Sequence, residues 1–176
     1  CNVSFFFFSE YQQRGKLKEG KPAWKKDDVK VFAPSAVSGA SLKTVLGAFL
    51  KKAKPNGYVA INAYLPRNDE MIAALQSMRT AIRAKTGNAV TAGFGPRFQH
   101  STGQFHKGGP KNALFIQITA DPEVDMDIPT EGLTFGALIR AQALGDYEAL
   151  IEAGRKVLRI HLSSPKDVQQ IIAALA

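Results

Sequence analysis

YVAINAYL, residues 58–65, and ALFIQIT, residues 113–119, decide the fold. Each is a short and nearly continuous apolar run, the pattern of a strand covered on both faces; a strand with one wet face would alternate. KVLRIHL (156–162) reads as a third such strand and Ala89–Ala92 as a shorter one. Between them the apolar spacing changes to that of helices. Asn68 or Asp69 can cap a helix carrying Met71, Ile72, Leu75, Met78 and Ile82, closed by Gly87. Residues 135–153 predict another, with Leu138, Ile139, Ala143, Leu144 and Leu150 inward, and Ser164-Pro165 starts a last one ending near Ala174. Upstream, Ser41 caps a helix with Leu42, Val45, Leu46, Phe49 and Leu50 on one face, ended by Pro55-Asn56-Gly57. Val29–Ala33 is extended. Strands alternating with helices predict an α/β fold with a mainly parallel sheet, and such sheets bind ligands beyond the carboxyl ends of their strands.

That rule directs attention to the segment after Ala92, GFGPRFQHSTGQFHKGGP (93–110), read as a loop. Five glycines and two prolines let its backbone turn sharply and approach a ligand. It gathers Arg97, His100, Ser101, Thr102, Gln104, His106 and Lys107 around Gly103. Cations suit phosphate, hydroxyl and amide groups suit sugar hydroxyls, and imidazole moves protons near neutral pH. Each also has a plainer reading: His100 as a brace for a turn, His106 and Lys107 as a loop tip, Arg97 in an ion pair, Ser101, Thr102 and Gln104 as caps. The acidic run Asp121–Asp127 lacks calcium-loop spacing and reads as solvated, and His161 as a hydrogen-bonded strand residue.

FGPRFQHSTGQFHKGGP resembles the corresponding run in the C-terminal region of bifunctional transaldolase/glucose-6-phosphate isomerases. GYVAINAYLP (57–66), LQSMRTAIRAKTG (75–87), LFIQIT (114–119), FGALIRAQALGDYEAL (135–150) and RKVLRIHL (155–162) extend the resemblance over roughly residues 20–163. It implies a sugar isomerase (SIS) fold, a three-layer αβα sandwich of flavodoxin-like kind, and the interconversion of glucose 6-phosphate and fructose 6-phosphate through an enediol without metal or cofactor. On this resemblance His100, His106 and Lys107 are the catalytic candidates, and Arg97, Ser101, Thr102, Gly103 and Gln104 the substrate-binding ones. Ordinary phosphoglucose isomerases carry a Gly-Gln-His histidine and a Met-Glu-Ser-Asn-Gly-Lys glutamate; neither segment has a matched position here, and the transaldolase lysine and barrel are absent.

The expected organisation is a linker or partner-packing segment over 1–34, including Phe5–Phe8 and the charged stretch Arg14–Lys26, followed by an SIS-like subdomain over 35–176. The chain starts at Cys1, which reads as a piece of a longer polypeptide whose upstream SIS and transaldolase domains complete the site, with a homo-oligomer left open. One cysteine allows no internal disulfide and fits a reducing compartment, and the resemblance implies a cytoplasmic enzyme. No run approaches the roughly 18 apolar residues of a membrane span. The net charge of +8 suits anionic metabolites; a nucleic-acid role lacks an aromatic-basic signature or zinc-finger spacing to support it. The rival to half an isomerase site is a non-catalytic module that binds sugar phosphate or packs against a neighbouring domain.

Overall fold

The computed structural model describes residues 11, 17, 19–34, 37, 39–97, 101–129 and 132–176. Its centre is a six-stranded sheet built from β1 (Trp24–Lys26), β2 (Val29–Phe32), β3 (Tyr58–Tyr64), β4 (Ala89–Phe94), β5 (Leu114–Ala120) and β8 (Lys156–Leu162), in the order β1-β2-β8-β5-β3-β4. The four strands β8, β5, β3 and β4 are parallel, and β2 and β1 extend the β8 edge antiparallel. A small hairpin, β6 (Asp127–Ile128) with β7 (Leu133–Thr134), lies apart. The helices are α1 (Leu42–Leu50), α2 (Asp69–Thr86), α3 (Ser101–Gly108), α4 (Phe135–Glu152) and α5 (Val168–Leu175).

Crossover handedness sets the layers. The chain moves from β3 to β4 in one direction across the sheet, then back past β3 to β5 and on to β8. Right-handed connections therefore put α2 on one face and α3 and α4 on the other. Helices α1, α2 and α5 cover the first face through a large apolar core that includes Val45, Leu46, Met78, Ile82, Ile116, Ile118, Leu158, Ile160 and Ile171. This is the three-layer α/β sandwich expected from the sequence.

Local chemistry fixes the helix ends. Ser41 caps α1 through the Thr44 amide, and the five residues predicted for its inner face are the five that are buried. Asn68 Oδ1 accepts from Met71 N at 2.9 Å to start α2, and Gly87 ends it at φ 70°. Ser164 opens a short 3₁₀ turn, Pro165–Asp167, that leads into α5. On α2 the buried position is Ala74, with Ile72 turned outward. On α4, Leu138 is half-buried and Ile139 exposed, while Ala141, Gly145 and Asp146 join the inner face.

Two stretches differ from the sequence reading. Trp24–Lys26, assigned to a linker, is an edge strand paired with β2 through a tight turn at Asp27, so the sheet takes in residues from the expected linker segment. Residues 101–108, read as loop, form α3. Its two glycines lower helix propensity, but tertiary contacts hold it: the Arg155 guanidinium donates to the carbonyls of Lys107 (2.5 Å), Gly109 (2.7 Å) and Pro110 (3.0 Å) around its C-terminal end. The Phe5–Phe8 run lies outside the described residues.

Candidate functional site

The reversal of strand order falls between β3 and β5, and a cavity of about 610 Å³ opens beyond their carboxyl ends. Leu65 and Pro66 follow β3 into its wall, Gly95 follows β4, and Thr119 and Ala120 end β5 with Asp121 and Pro122 just beyond. The first turns of α4, through Ala143, form the opposite wall, and Glu19 enters from upstream. Gly95 is required here, since a Cβ would sit 2.7 Å from the Tyr64 ring. Much of the lining is carbon, and Val124, Met126, Phe135 and Ile139 are 82%, 65%, 45% and 40% exposed at its lips.

The face of the sheet under α4 carries polar rungs. Asn62, Gln117 and Arg159 pair across β3, β5 and β8, and two residues nearer the cavity Tyr64, Thr119 and His161 do the same. Side chains two apart share a face, so both rungs point toward α4. Gln117 Nε2 donates to Ala143 O at 2.9 Å, but Gln117 Oε1, Asn62 Nδ2 and Arg159 Nε and Nη1 have no hydrogen-bond partner among the described residues.

A charged network joins these rungs to the cavity. Arg140 on α4 donates through Nε to Glu19 Oε1 (2.6 Å) and through Nη1 to Asp121 Oδ1 (3.2 Å), and its Nη2 lies 3.2 Å from His161 Nε2. A guanidinium has donors alone, so His161 Nε2 accepts and its proton sits on Nδ1, 3.1 Å from Thr119 Oγ1. Burial first, and the Arg140 charge second, push the His161 imidazole down to about 4, which leaves it neutral at pH 7. Arg159 is 1% exposed; its Nη2 donates to Glu19 Oε2 at 2.8 Å, and its guanidinium lies 3.8 Å from the centre of the Phe32 ring. Burial pushes the Glu19 carboxyl up, but the guanidiniums of Arg159 and Arg140 outweigh it and hold the group below the usual carboxylate range.

The acidic run beside the cavity is exposed but not merely solvated. Asp121 meets Arg140, Glu123 pairs with Lys166 at 3.0 Å, and Asp125 Oδ1 accepts from Met126 N (2.9 Å) and Gly136 N (2.7 Å) at the start of α4. Among the described residues no three His, Cys, Asp or Glu side chains are grouped to hold a metal ion. No helix among them is long and apolar enough to cross a membrane.

The residues singled out in the 93–110 segment are divided by the structure. Arg97, Ser101, Thr102 and Gln104 are exposed, Gly103 is buried, and His100 lies outside the described residues. His106 and Lys107 do not line the cavity; they sit near the amino ends of the strands. The His106 ring packs 5.0 Å from Phe115 and 6.1 Å from Tyr58, and burial lowers its affinity for a proton. Lys107 Nζ lies 2.7 Å from the carboxylate of buried Asp146. Glu19, Arg140 and Arg159 belong to no motif of the sequence. Arg159 and His161, two apart inside an otherwise apolar run, were a visible sign of a polar face.

No protein-family model matches the chain. It is 33% identical over 89 residues to a glucose-6-phosphate isomerase from Thermus thermophilus, a match covering 44% of this chain and 21% of that enzyme. The crystal structure of a hypothetical protein, also from Thermus thermophilus, shares the fold with a TM-score of 0.65 and 23% identity, over 76% of this chain and 37% of that one. The chain therefore spans about a fifth of the length of the curated relative.

Proposed function

We propose that this chain contributes half of a sugar-phosphate isomerase site of the glucose-6-phosphate isomerase kind, within a longer polypeptide that also carries an upstream SIS domain and a transaldolase domain. The observation that carries the reading is the position of the cavity at the strand-order reversal in a chain similar over 89 residues to such an isomerase. Aldose–ketose isomerisation moves a proton between adjacent carbons through an enediolate, so it needs a base, fixed positive charge and an acid for ring opening. Arg140 supplies fixed charge on the cavity wall. Thr119 Oγ1 accepts from His161, which leaves its own proton free for a sugar oxygen.

Glu19 is a poor base while two guanidiniums hold it ionised. In this reading the base belongs to the upstream domain, which also covers the apolar lips at Val124, Met126, Phe135 and Ile139. His100, just ahead of α3, is the ring-opening candidate, whereas His106 packs α3 on the sheet and Lys107 ties it to Asp146 of α4. Substrate is a sugar phosphate, and the compartment is the cytoplasm.

The test is isomerisation of fructose 6-phosphate by the longer polypeptide, with His100→Ala lowering kcat by about 10²-fold or more as loss of a general acid does. Unchanged kinetics in that variant remove His100 from the mechanism. A second reading, a non-catalytic sugar-phosphate-binding or domain-packing module, draws on one observation: Glu19, Asp121 and Arg140 on the cavity wall are already paired with one another. Binding of fructose 6-phosphate without turnover in the longer polypeptide favours it.

A further inference from the structure

We propose that the guanidiniums of Arg140 and Arg159 form a seat for an oxyanion, the phosphate or carboxylate group of a ligand, and that Glu19 fills this seat as an internal stand-in when the ligand is absent. The two oxygens of Glu19 are divided between two arginines from different elements, Oε1 to Arg140 on α4 and Oε2 to Arg159 on β8. Two oxygens of a phosphate present the same pattern of acceptors to the same donors.

The seat is built into the sheet rather than assembled by Glu19. Arg159 is buried, and its guanidinium is held against Phe32, so its charge stays in place whatever occupies the seat. Its Nε and Nη1 have no hydrogen-bond partner among the described residues, so the carboxylate uses a fraction of the donors available. A phosphate has more acceptor oxygens than a carboxylate with which to meet such donors.

Glu19 is attached in a way that permits exchange. Residues 19–22 carry no strand or helix, and the first described backbone hydrogen bond to the sheet after Glu19 is Ala23 N to Val31 O at 2.8 Å. Withdrawal of the side chain therefore breaks no sheet ladder. The seat also faces the cavity, since Glu19 and Arg140 both line it.

Charge favours replacement by another anion over vacancy. Arg140 and Arg159 are balanced by Glu19 and Asp121 while His161 is neutral, so withdrawal of Glu19 leaves one uncompensated positive charge in a largely buried place. Asp121, 3.2 Å from Arg140 Nη1, remains beside the seat and opposes a second negative charge on the ligand. A tethered carboxylate competes as a ligand of high effective concentration, so the free seat is a small fraction of the population and apparent affinity falls by that fraction.

The seat rests on the sugar-phosphate reading for the identity of its ligand, and the experiment separates the two. Inorganic phosphate is titrated calorimetrically, at constant ionic strength, into the full chain, the Glu19→Gln variant and the Glu19→Gln/Arg140→Met double variant. Removing the internal competitor is expected to tighten phosphate binding about tenfold or more, and the second substitution to abolish the gain. Equal affinity in the full chain and Glu19→Gln, or a gain that survives Arg140→Met, overturns the seat. Should Glu19→Gln not fold, saturating phosphate in the unaltered chain is expected to shift the amide signals of Glu19 and Gly20 while those of α5 stay in place; unmoved Glu19 and Gly20 signals overturn it. Fructose 6-phosphate is then compared with phosphate. Phosphate binding that the sugar does not improve leaves the seat and removes the sugar-phosphate reading, whereas fructose 6-phosphate binding of equal strength in the full chain and both variants leaves that reading and overturns the seat.

Discussion

The two faces of the sheet come from the same strands and differ most toward the strands' carboxyl ends. On β5, Leu114, Ile116 and Ile118 enter the core under α1, α2 and α5. The intervening Phe115, Gln117 and Thr119 point toward α4, as do Arg159 and His161 from β8 and Asn62 and Tyr64 from β3. Away from the cavity that second face is apolar too, with Ala60, Phe115 and Val157 packed on Leu150. Polarity rises along the strands toward their carboxyl ends. One face is specialised for cohesion; toward the cavity the other trades packing for donors and charges, and as a consequence retains buried polar atoms without a hydrogen-bond partner among the described residues.

If the comparison holds, damage to the apolar face is felt as stability alone. Ile116→Ala should cost about 4 kcal/mol, as expected for a buried aliphatic side chain reduced to a methyl group. Urea unfolding checks it, and the ligand affinity of the folded fraction should be unchanged. A smaller effect is expected on the opposite face, far from the cavity. Lys107→Met strands the Asp146 carboxylate without its partner and should cost about 3 kcal/mol. Lys107→Met/Asp146→Asn should recover most of that loss in the same measurement; no recovery would show that Lys107 does not act through Asp146.

The smallest effect is one of pH, and it belongs to the polar face. The folded chain holds His161 neutral down to about 4, whereas an exposed imidazole takes a proton near 6.5. Unfolding then takes up a proton between those values, so stability is intact above pH 6.5 and falls as the pH drops toward 4, by about 2–3 kcal/mol from this residue. His161→Gln should show a shallower decline in urea midpoint between pH 7 and pH 4.5. Parallel pH profiles for the two proteins would show that His161 is not the source.

The cohesive face was the legible one. Continuous apolar runs placed β3, β5 and β8, and caps such as Ser41, Asn68 and Gly87 placed the helix ends, because both signals are local. The polar face was harder to read because its meaning depends on distant partners. Glu19 and Arg140 meet across 121 residues, and Glu19 and Arg159 across 140, separations over which composition and spacing say nothing. Helix α3 escaped for a related reason: its glycines argue against helix, and Arg155, which holds its end, lies 48 residues beyond Lys107. The segment that carries the resemblance divides in the same way, with Gly95 at the cavity and His106 and Lys107 anchored near the amino ends of the strands.

Chemical-shift mapping of the full chain titrated with fructose 6-phosphate tests most directly whether the carboxyl-end cavity is the binding site. Saturable shifts are expected at Tyr64, Gly95, Thr119 and Ala120, with the signals of α1 and α5 unmoved. Shifts confined to α3, or none at saturating sugar phosphate, would contradict it.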